Sequence, residues 1–426
     1  MGKIKYSKYI AIEIILNSIA IFYTRLNSVI AGVVFFLFIA YSTNYWYKHG
    51  TSILRAIAIT LVSIIPISFI PITGGNLGTF PLTWYHVLLL VAILITLSNG
   101  VERKSFLFFI IASGYLIITS ILQKNIGNSL SQAMMIIIWL GSFFVCDAFG
   151  EDSYIYDILF NIYLASCVGF AIQILIQFFS INYLGIDIGR VGLMKARTAY
   201  SGLMGDYSFS TLFLATGLFC TIIKYFEYHK ENVLIFISEF VLLSISSLIV
   251  TSRTGLFAFA VTLLLFLISK MRKFNILYFI FIIALIVAIP VYLSALLKSR
   301  GGQLLLDTSG RTVNYASSLS LITEKPLFGY GLGLDNLFAN TGLGVPHNFF
   351  IQYLLQIGII GTILLIIPVF GFCNKYVLHS GLSKWLIILT FIGSMLIPDI
   401  VSSRFLVALL FICVEDRIGI NVIDKD

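Results

Sequence analysis

Apolar stretches of about 20 residues recur from one end of this 426-residue chain to the other, separated by short polar connections. A stretch of that length can cross the hydrocarbon core of a bilayer as a helix, because a helix satisfies its own backbone hydrogen bonds. With 59% hydrophobic and only 11% charged residues, the composition excludes a soluble enzyme. We therefore predict a single polytopic membrane domain over residues 1–426.

The hydrophobic pattern predicts an all-α polytopic membrane protein with about 12–14 transmembrane helices and a large extracytoplasmic loop before a late helix. The predicted spans are 9–23, 28–43, 53–72, 83–98, 105–122, 130–149, 155–181, 201–224, 233–250, 254–270, 274–297, 346–372, 382–398 and 400–414. The first span contains Glu13 and lacks a small-residue cleavage site, so we expect it to be retained rather than removed as a signal peptide.

The Lys and Arg residues indicate the orientation, because cytoplasmic connections carry an excess of them. With the N-terminus inside, 16 of the 27 fall on the cytoplasmic side, and most of the others lie in two longer loops, 182–200 and 298–345. Both termini are therefore predicted to be cytoplasmic, and both loops to lie outside the plasma membrane. The net charge of +8 is scattered over these connections, which argues against nucleic acid binding and favours attraction to anionic membrane lipid.

Metal and cofactor chemistry find no support in the sequence. The five cysteines lie in or beside apolar spans without CxxC spacing, which argues against a disulfide framework or a metal centre. HExxH, GxSxG and Walker motifs are also missing from the sequence. We expect a protein that uses neither a metal nor a cofactor.

One histidine stands at the front of a late apolar segment. His347 follows Pro346, which suits the first turn of a helix, so His347 and Asn348 are predicted at the outer start of the span 346–372. The positive end of a helix dipole favours a neutral imidazole there, and a neutral imidazole can accept a proton from a hydroxyl. An interfacial histidine with a purely structural role is the alternative.

Three outer arginines are candidates for binding a diphosphate, because the paired N–H groups of a guanidinium fit phosphate oxygens without a metal. They are Arg253 in TSRTG, Arg311 in DTSGRTVNY and Arg300 in KSRGG. For Arg253, which lies in a turn between two spans, the alternative is a side chain that snorkels to the membrane surface.

The two outer loops differ in character. In the long loop, the spacing of apolar residues over 312–322 predicts a short surface helix, and alternating glycines in 326–336 permit close backbone approach without indicating a dinucleotide site. The loop 182–200 is basic and contains Arg190 and Arg197. These two arginines can bind an anionic substrate, or they can be ordinary solvated surface residues.

Three segments resemble, in order and spacing, the O-antigen ligase and polymerase family, which includes the Wzy-type polymerases. They are TSRTGLFAFAVTLLLFLI at 251–268, GRTVNYASSLSLITEKPLFGYGLG at 310–333 and HNFFIQYLLQIGIIGTILL at 347–365. The resemblance covers a core at 245–372. His347, followed eleven residues later by Gly358, matches the His-x10-Gly pattern of Wzy polymerases. No outer-loop arginine starts the corresponding Arg-x10-Gly pattern.

The resemblance implies metal-independent, inverting transfer of a glycan from an undecaprenyl diphosphate carrier to an acceptor hydroxyl at the outer face of the plasma membrane. By this resemblance His347 is the general base, and Arg253 and Arg311 bind the diphosphate, with Arg300 as a third candidate. Further candidates for substrate contacts are Asn348, Tyr330, Asp335, Arg190 and Arg197.

The resemblance leaves more than one function open. We favour a polymerase that joins repeat units into O-antigen or capsular polysaccharide over a ligase that transfers finished glycan to a lipid A core or another acceptor. A flippase or exporter of lipid-linked oligosaccharide is a third hypothesis, but transporters of this size usually contain two related halves, which this sequence lacks. The partners implied are the lipid-linked donor and acceptor, membrane lipid and a chain-length regulator.

Overall fold

The computed structural model describes residues 3–25, 28–70, 72, 83–149, 155–194, 197–228, 232–270, 283, 290–295, 297–298 and 311–423. These residues form α-helices almost throughout, as predicted. The helices of the first half are α1 (Lys3–Ile19), α2 (Ser28–Lys48), α3 (Ile53–Ser63), α4 (Trp84–Asn99), α5 (Arg103–Ile121), α6 (Ile126–Asp147) and α7 (Tyr156–Leu184). Those of the second half are α8 (Tyr207–Ile222), α9 (Val233–Val250), α10 (Thr254–Lys270), α11 (Arg311–Glu324), α12 (Leu334–Thr341), α13 (Phe349–Phe372), α14 (Lys384–Ser394) and α15 (Arg404–Ile423).

Six of the described helices are long and apolar enough to cross a membrane, which supports the predicted polytopic fold. They are α5, α6, α7, α9, α8 extended by the π-helical turn Ile223–Glu227, and α13 extended by the π-helical turn Cys373–Val377. Four shorter helices, α3, α4, α10 and α14, are also apolar. The predicted span at 274–297 falls almost entirely outside the described residues.

Two predicted spans differ in extent from the helices that form. The span predicted at 53–72 ends as an α-helix at Ser63, because Pro66 has no backbone N–H and the chain continues as a 3-10 turn over Ile65–Ile67. The span predicted at 400–414 begins at Arg404 and continues as α15 to Ile423. The surface helix predicted at 312–322 is confirmed by α11.

The basic loop 182–200 contains a β-hairpin that the sequence pattern did not predict. Strand β1 (Val191–Met194) pairs with β2 (Arg197–Tyr200) in antiparallel register. At the base of the hairpin, the side-chain amide of Gln177 in α7 donates to the carbonyl oxygen of Arg190 at 2.8 Å. The loop is therefore a folded cap on the end of α7.

Helix α7 is the most extensively buried of the long helices near the N-terminus and packs against α1, α3, α8 and α9.

Small residues bring other helices into close contact. A Cβ added at Gly255, in the first turn of α10, would lie 2.1 Å from the carbonyl oxygen of Thr211 in α8. A Cβ added at Gly393, near the end of α14, would lie 2.5 Å from the side chain of Leu212 in α8. The start of α10 and the end of α14 therefore lie at the same level of the bundle.

Helix α13 is broken at Gly358. This residue has φ 65° and ψ −171°, a conformation that essentially only glycine adopts. The break interrupts the regular helical hydrogen bonds and leaves backbone groups that need other partners. One of them, the carbonyl oxygen of Ile357, accepts a 2.7 Å hydrogen bond from the hydroxyl of Tyr115 in α5.

The remaining partners come from residues 326–331 (PLFGYG), a segment that we call the strap. Before the break, the carbonyl oxygen of Leu355 accepts a 2.8 Å hydrogen bond from the N–H of Tyr330. After the break, the N–H of Ile359 donates to the carbonyl oxygen of Pro326 at 2.8 Å. The strap thus lies along the broken helix and ties the long loop that precedes α13 to it.

We expect Gly358→Ala to lower the free energy of unfolding by about 3 kcal/mol or more, because it adds an atomic overlap to a strained backbone. The new Cβ would lie 2.2 Å from the carbonyl oxygen of Leu327 in the strap. Gly342→Ala is the matched control, since Gly342 also has a positive φ, 69°, but has no atom within 4 Å of its added Cβ. There we expect a loss of about 1 kcal/mol from backbone strain alone. Thermal unfolding in detergent measures both, and equal losses would contradict the docking of the strap.

Candidate functional site

The start of α13 and the turn before α10 lie at one end of the bundle, which we call the site end. The side-chain N–H of Asn348 donates to the carbonyl oxygen of Met395, just after α14, at 3.3 Å. Met395 lies two residues after Gly393, and Arg253 lies two residues before Gly255. Gly255 packs against Thr211 and Gly393 packs against Leu212, which are adjacent residues of α8. The predicted base, His347, and one predicted arginine, Arg253, therefore lie at the same end of the bundle.

His347 is half-buried directly before α13, and its Nδ1 atom is buried without a hydrogen-bond partner in the described part of the chain. Its backbone carbonyl accepts a 2.6 Å hydrogen bond from the hydroxyl of Tyr315 in α11. Burial lowers the pKa of His347, and the positive charge of Arg311 lowers it further, to about 4. The imidazole is therefore neutral at pH 7, and the ring nitrogen that carries no hydrogen can serve as a proton acceptor.

Helix α13 is too long to lie wholly within a bilayer. With its π-helical turn it comprises 29 residues, which at ~1.5 Å per residue is about 43 Å, against a hydrocarbon core of about 30 Å. The part that follows Gly358 is by itself about long enough to cross, and the cationic Lys375 lies at its far end. His347 therefore projects beyond the hydrocarbon, on the part of the helix that precedes the break.

Asn348 is the N-cap of α13. Its Oδ1 accepts hydrogen bonds from the N–H groups of Phe350 at 3.1 Å and Ile351 at 3.2 Å, while its Nδ2 bonds Met395. Because the cap fixes the first helical residue, the helix begins at Phe349, three residues after Pro346. Both ends of the Asn348 amide are occupied within the protein, so its evident role is to orient the start of the helix beside His347.

Arg311 is the first residue of α11 and is half-buried. Its charge acts on His347 and also on Tyr315, whose pKa is raised by burial and lowered in part by Arg311. It forms no ion pair with an acidic residue among the described residues. A partly desolvated guanidinium without an acidic neighbour is suited to binding an anion. Arg300 lies outside the described residues.

Arg253 lies in the tight turn between α9 and α10. The turn begins at Thr251, which has a left-handed φ of 63°, a conformation that costs a β-branched residue about 1–3 kcal/mol. The carbonyl oxygen of Arg253 accepts a 2.9 Å hydrogen bond from the N–H of Phe257 and so belongs to the first turn of α10. The half-buried side chain of Arg253 is thereby fixed at the site end.

A buried polar network beneath the start of α13 was not predicted from the sequence. Asp399, whose φ of 53° is also left-handed, accepts a 2.7 Å hydrogen bond from the hydroxyl of Tyr353 and donates its N–H to Gln352 at 2.5 Å. Gln352 donates to Gln356 at 3.1 Å, and Gln356 faces Gln132 of α6. Two glutamines four residues apart in the apolar run FFIQYLLQIG are the sequence signal that could have revealed this network.

Tyr330 and Asp335 fasten the outer loop. The Tyr330 hydroxyl donates to Glu324 at 2.9 Å, and the Lys325 ammonium lies 4.7 Å from the centre of the Tyr330 ring. The Asp335 carboxylate accepts a hydrogen bond from the side chain of Asn128, at the start of α6. The Tyr330 contacts hold the strap against the end of α11, and the Asp335 contact attaches α12 to α6. No described contact links either residue to the imidazole.

Arg190 and Arg197 belong to the hairpin at the end of α7. Arg190 is half-buried, and its guanidinium nearly fills the space where a Cβ of Gly205 would lie, 2.4 Å away. Burial lowers the pKa of Arg190. Arg197 is the first residue of β2. In the part of the chain that the structure describes, no contact joins Arg190 to His347.

Among the same described residues, no group of three or more His, Cys, Asp and Glu side chains could hold a metal ion.

Residues 240–366 match the family model described as O-antigen ligase, which confirms the resemblance to the O-antigen ligase and polymerase family. The matched segment is less than a third of the chain and contains Arg253, Arg311 and His347. A search of curated proteins found no match. The family match and the apolar helices indicate a multi-pass membrane protein with a function of the O-antigen ligase or polymerase type.

We expect Asn348→Ala to lower the free energy of unfolding by about 1 kcal/mol, because the first turn of α13 loses its cap. Asn348→Ser retains a capping oxygen and should recover most of that loss. Chemical unfolding of the purified variants measures the difference. If serine is as destabilising as alanine, the capping role assigned to Asn348 is wrong.

Proposed function

The chain carries a domain of the O-antigen ligase and polymerase family over residues 240–366, and from this premise we propose that it is a polymerase of lipid-linked glycans. The polymerase would join undecaprenyl-diphosphate-linked oligosaccharide repeat units into O-antigen or capsular polysaccharide at the outer face of the plasma membrane. The reaction would be an inverting glycosyl transfer that needs no metal.

The observation that carries the proposal is a neutral base beside a cation. The Nδ1 atom of His347 has no partner among the described residues, and the charge of Arg311 reaches the imidazole. A base alone would suit many reactions. A base beside a guanidinium without an acidic neighbour suits a reaction in which a hydroxyl loses its proton while an anion departs.

In the proposed reaction, the His347 imidazole takes the proton of the acceptor hydroxyl as the hydroxyl oxygen attacks the anomeric carbon of the donor. The bond between that carbon and the diphosphate oxygen breaks, and the diphosphate leaves with the electron pair. Arg311 and Arg253 would stabilise the charge that develops on the leaving oxygen. Attack from the face opposite the diphosphate inverts the configuration of the anomeric carbon.

Binding of the donor would itself strengthen the base. In the free protein the positive charge of Arg311 helps to lower the pKa of His347. A diphosphate bound to Arg311 would offset this charge and raise the pKa towards its ordinary value. The imidazole would therefore become an effective base once the donor is in place.

Location at the outer face rests on the charge distribution. The site end contains the connections predicted to be outer, whereas Lys104 and Lys375 lie at the opposite end of the bundle. In this orientation both termini are cytoplasmic, and the projecting start of α13 faces the compartment where the acceptor glycan lies. A chain-length regulator would meet the protein on the same side.

A ligase that transfers finished glycan to a lipid A core or another acceptor is the second candidate, favoured by the description of the matching family. The His-x10-Gly spacing from His347 to Gly358 favours the polymerase. A deletion strain separates the two functions: glycans of a single repeat support a polymerase, and chains of normal length left on the carrier lipid support a ligase.

Reconstitution with a defined lipid-linked repeat unit tests the proposed chemistry. We expect the wild-type protein to form longer glycans and to release undecaprenyl diphosphate. His347→Ala should lower the rate by at least about 100-fold, because the general base is lost. Arg311→Lys and Arg253→Lys should each lower it by about tenfold or more, because a point charge replaces paired N–H donors.

The control is His379→Ala, which removes an exposed histidine in the connection before α14, far along the chain from the site end. This variant should retain the wild-type rate. Full activity of His347→Ala, or movement of the lipid-linked glycan across the bilayer without chain growth, would overturn the proposed function.

The pH dependence should differ between free and donor-bound enzyme. A protonated imidazole cannot act as a base, so activity falls as the pH drops through the pKa of His347. For kcat/KM of the donor, which reports the free enzyme, we expect this fall near pH 4. For kcat at saturating donor we expect it at a higher pH, because the bound diphosphate offsets Arg311. If kcat/KM and kcat fall at the same pH on the acidic side, donor binding does not change the pKa of the base, and the proposed coupling is wrong.

A further inference from the structure

A cavity lies at the end of the bundle opposite His347, between α5, α6 and α13. It encloses about 460 Å³, within the range of about 300–1,000 Å³ that is typical of ligand sites. Its walls are mainly aromatic and aliphatic, formed among others by Phe108, Phe143, Phe144, Ile367 and Phe372. An apolar cavity of this size is large enough for part of a hydrocarbon chain.

The surfaces beside the cavity face hydrocarbon. On α5, Leu107 and Ile110 are exposed, and on α13 Ile363 and Phe370 are exposed, Phe370 by 72%. Both helices are among those long and apolar enough to cross a membrane. A lipid chain can therefore reach the cavity from the bilayer without passing through water.

The mouth of the cavity carries two cations and two anions, which are Lys104, Lys375, Glu102 and Asp147. Lys375 and the hydroxyl of Tyr376 both bond the same oxygen of Asp147 at 2.7 Å, and the π-helical turn Cys373–Val377 places them there. Lys104 is exposed and has no ion-pair partner among the described residues. The four charges at the mouth therefore sum to zero. Because Lys375 is paired with Asp147, the ammonium group of Lys104 is available to bind an incoming anion.

We infer that this cavity binds a phospholipid with a zwitterionic aminoalkyl headgroup, such as phosphatidylethanolamine. One acyl chain fills the aromatic cavity, the phosphate contacts Lys104 beside Lys375, and the headgroup ammonium contacts Glu102 and Asp147. The two carboxylates disfavour a lipid whose headgroup carries only negative charge. This inference does not depend on the proposed function.

Gly371 provides the variant that blocks the cavity without disturbing the helices. It lines the cavity, is exposed, and has no atom within 4 Å of an added Cβ, so a large side chain can extend into the open space. Gly114 in α5 is the matched control, since it also has no atom within 4 Å of an added Cβ and does not line the cavity.

The experiment uses the full chain reconstituted in vesicles of equal parts phosphatidylethanolamine and phosphatidylglycerol, then extracted in mild detergent and examined by native mass spectrometry. We expect the wild-type protein and Gly114→Phe to retain one phosphatidylethanolamine. Gly371→Phe should retain at least about tenfold less, because excluding even two methylene groups of the chain costs that factor in affinity. Lys104→Glu, an exposed change that leaves the fold intact, should also lose the bound lipid.

Four results would overturn the inference. Preferential retention of phosphatidylglycerol would show that the headgroup assignment is wrong. Equal retention by wild-type protein and Gly371→Phe, or an equal loss in Gly114→Phe, would show that the cavity is not the site. If Gly371→Phe fails to fold, unchanged retention by Lys104→Glu overturns the inference in the same way.

Discussion

Insertion of the strap into the break of α13 at Gly358 is the interaction on which the site end depends. A helix that crosses a bilayer ordinarily satisfies its backbone within itself, so a break is stable only where other backbone groups replace the lost hydrogen bonds. The strap supplies them on both sides of the break, and Tyr115 supplies one more. The exchange fixes the long loop that precedes α13 against the helix, and with it α11, which carries Arg311.

The position of α11 in turn determines the electrostatics of His347. Tyr315 binds the backbone carbonyl of His347, and Arg311, one turn earlier in the same helix, acts on its imidazole. Burial and the nearby charge both favour the neutral ring, and the second of these two causes depends on the docking of this helix. The same charge that weakens the base is suited to holding an anionic donor. In the proposed reaction, base strength and donor binding are therefore linked through the guanidinium of Arg311.

Much of this arrangement could be predicted from the sequence. The long apolar stretches predicted the helices, because a membrane-spanning helix requires an uninterrupted run of such residues. Pro346 predicted a helix start close to the observed one, because the preference of proline for the first turn of a helix is a local property. The turn that carries Arg253 was predicted to lie at the same end as the start of the span 346–372, and the structure places it there, because charged groups are costly in hydrocarbon and collect where water or partners are available.

Other features could not be predicted because they depend on partners distant in the sequence. The left-handed conformation of Gly358 is stable only with the strap about 30 residues earlier. Asp335, predicted as a substrate contact from its residue type, accepts a hydrogen bond from Asn128, 207 residues earlier in the sequence. Asp399 gave no local signal, since its role depends on a residue of another helix, Tyr353.

The coupling between His347 and Arg311 is tested most directly by titration of the His347 imidazole itself. The titration is followed by nuclear magnetic resonance of the protein carrying labelled histidine, with His347→Ala used for assignment. In the free protein we predict a pKa of about 4, raised when inorganic diphosphate is added and insensitive to diphosphate in Arg311→Gln. A pKa near the ordinary value of about 6.5 that diphosphate leaves unchanged would contradict this coupling.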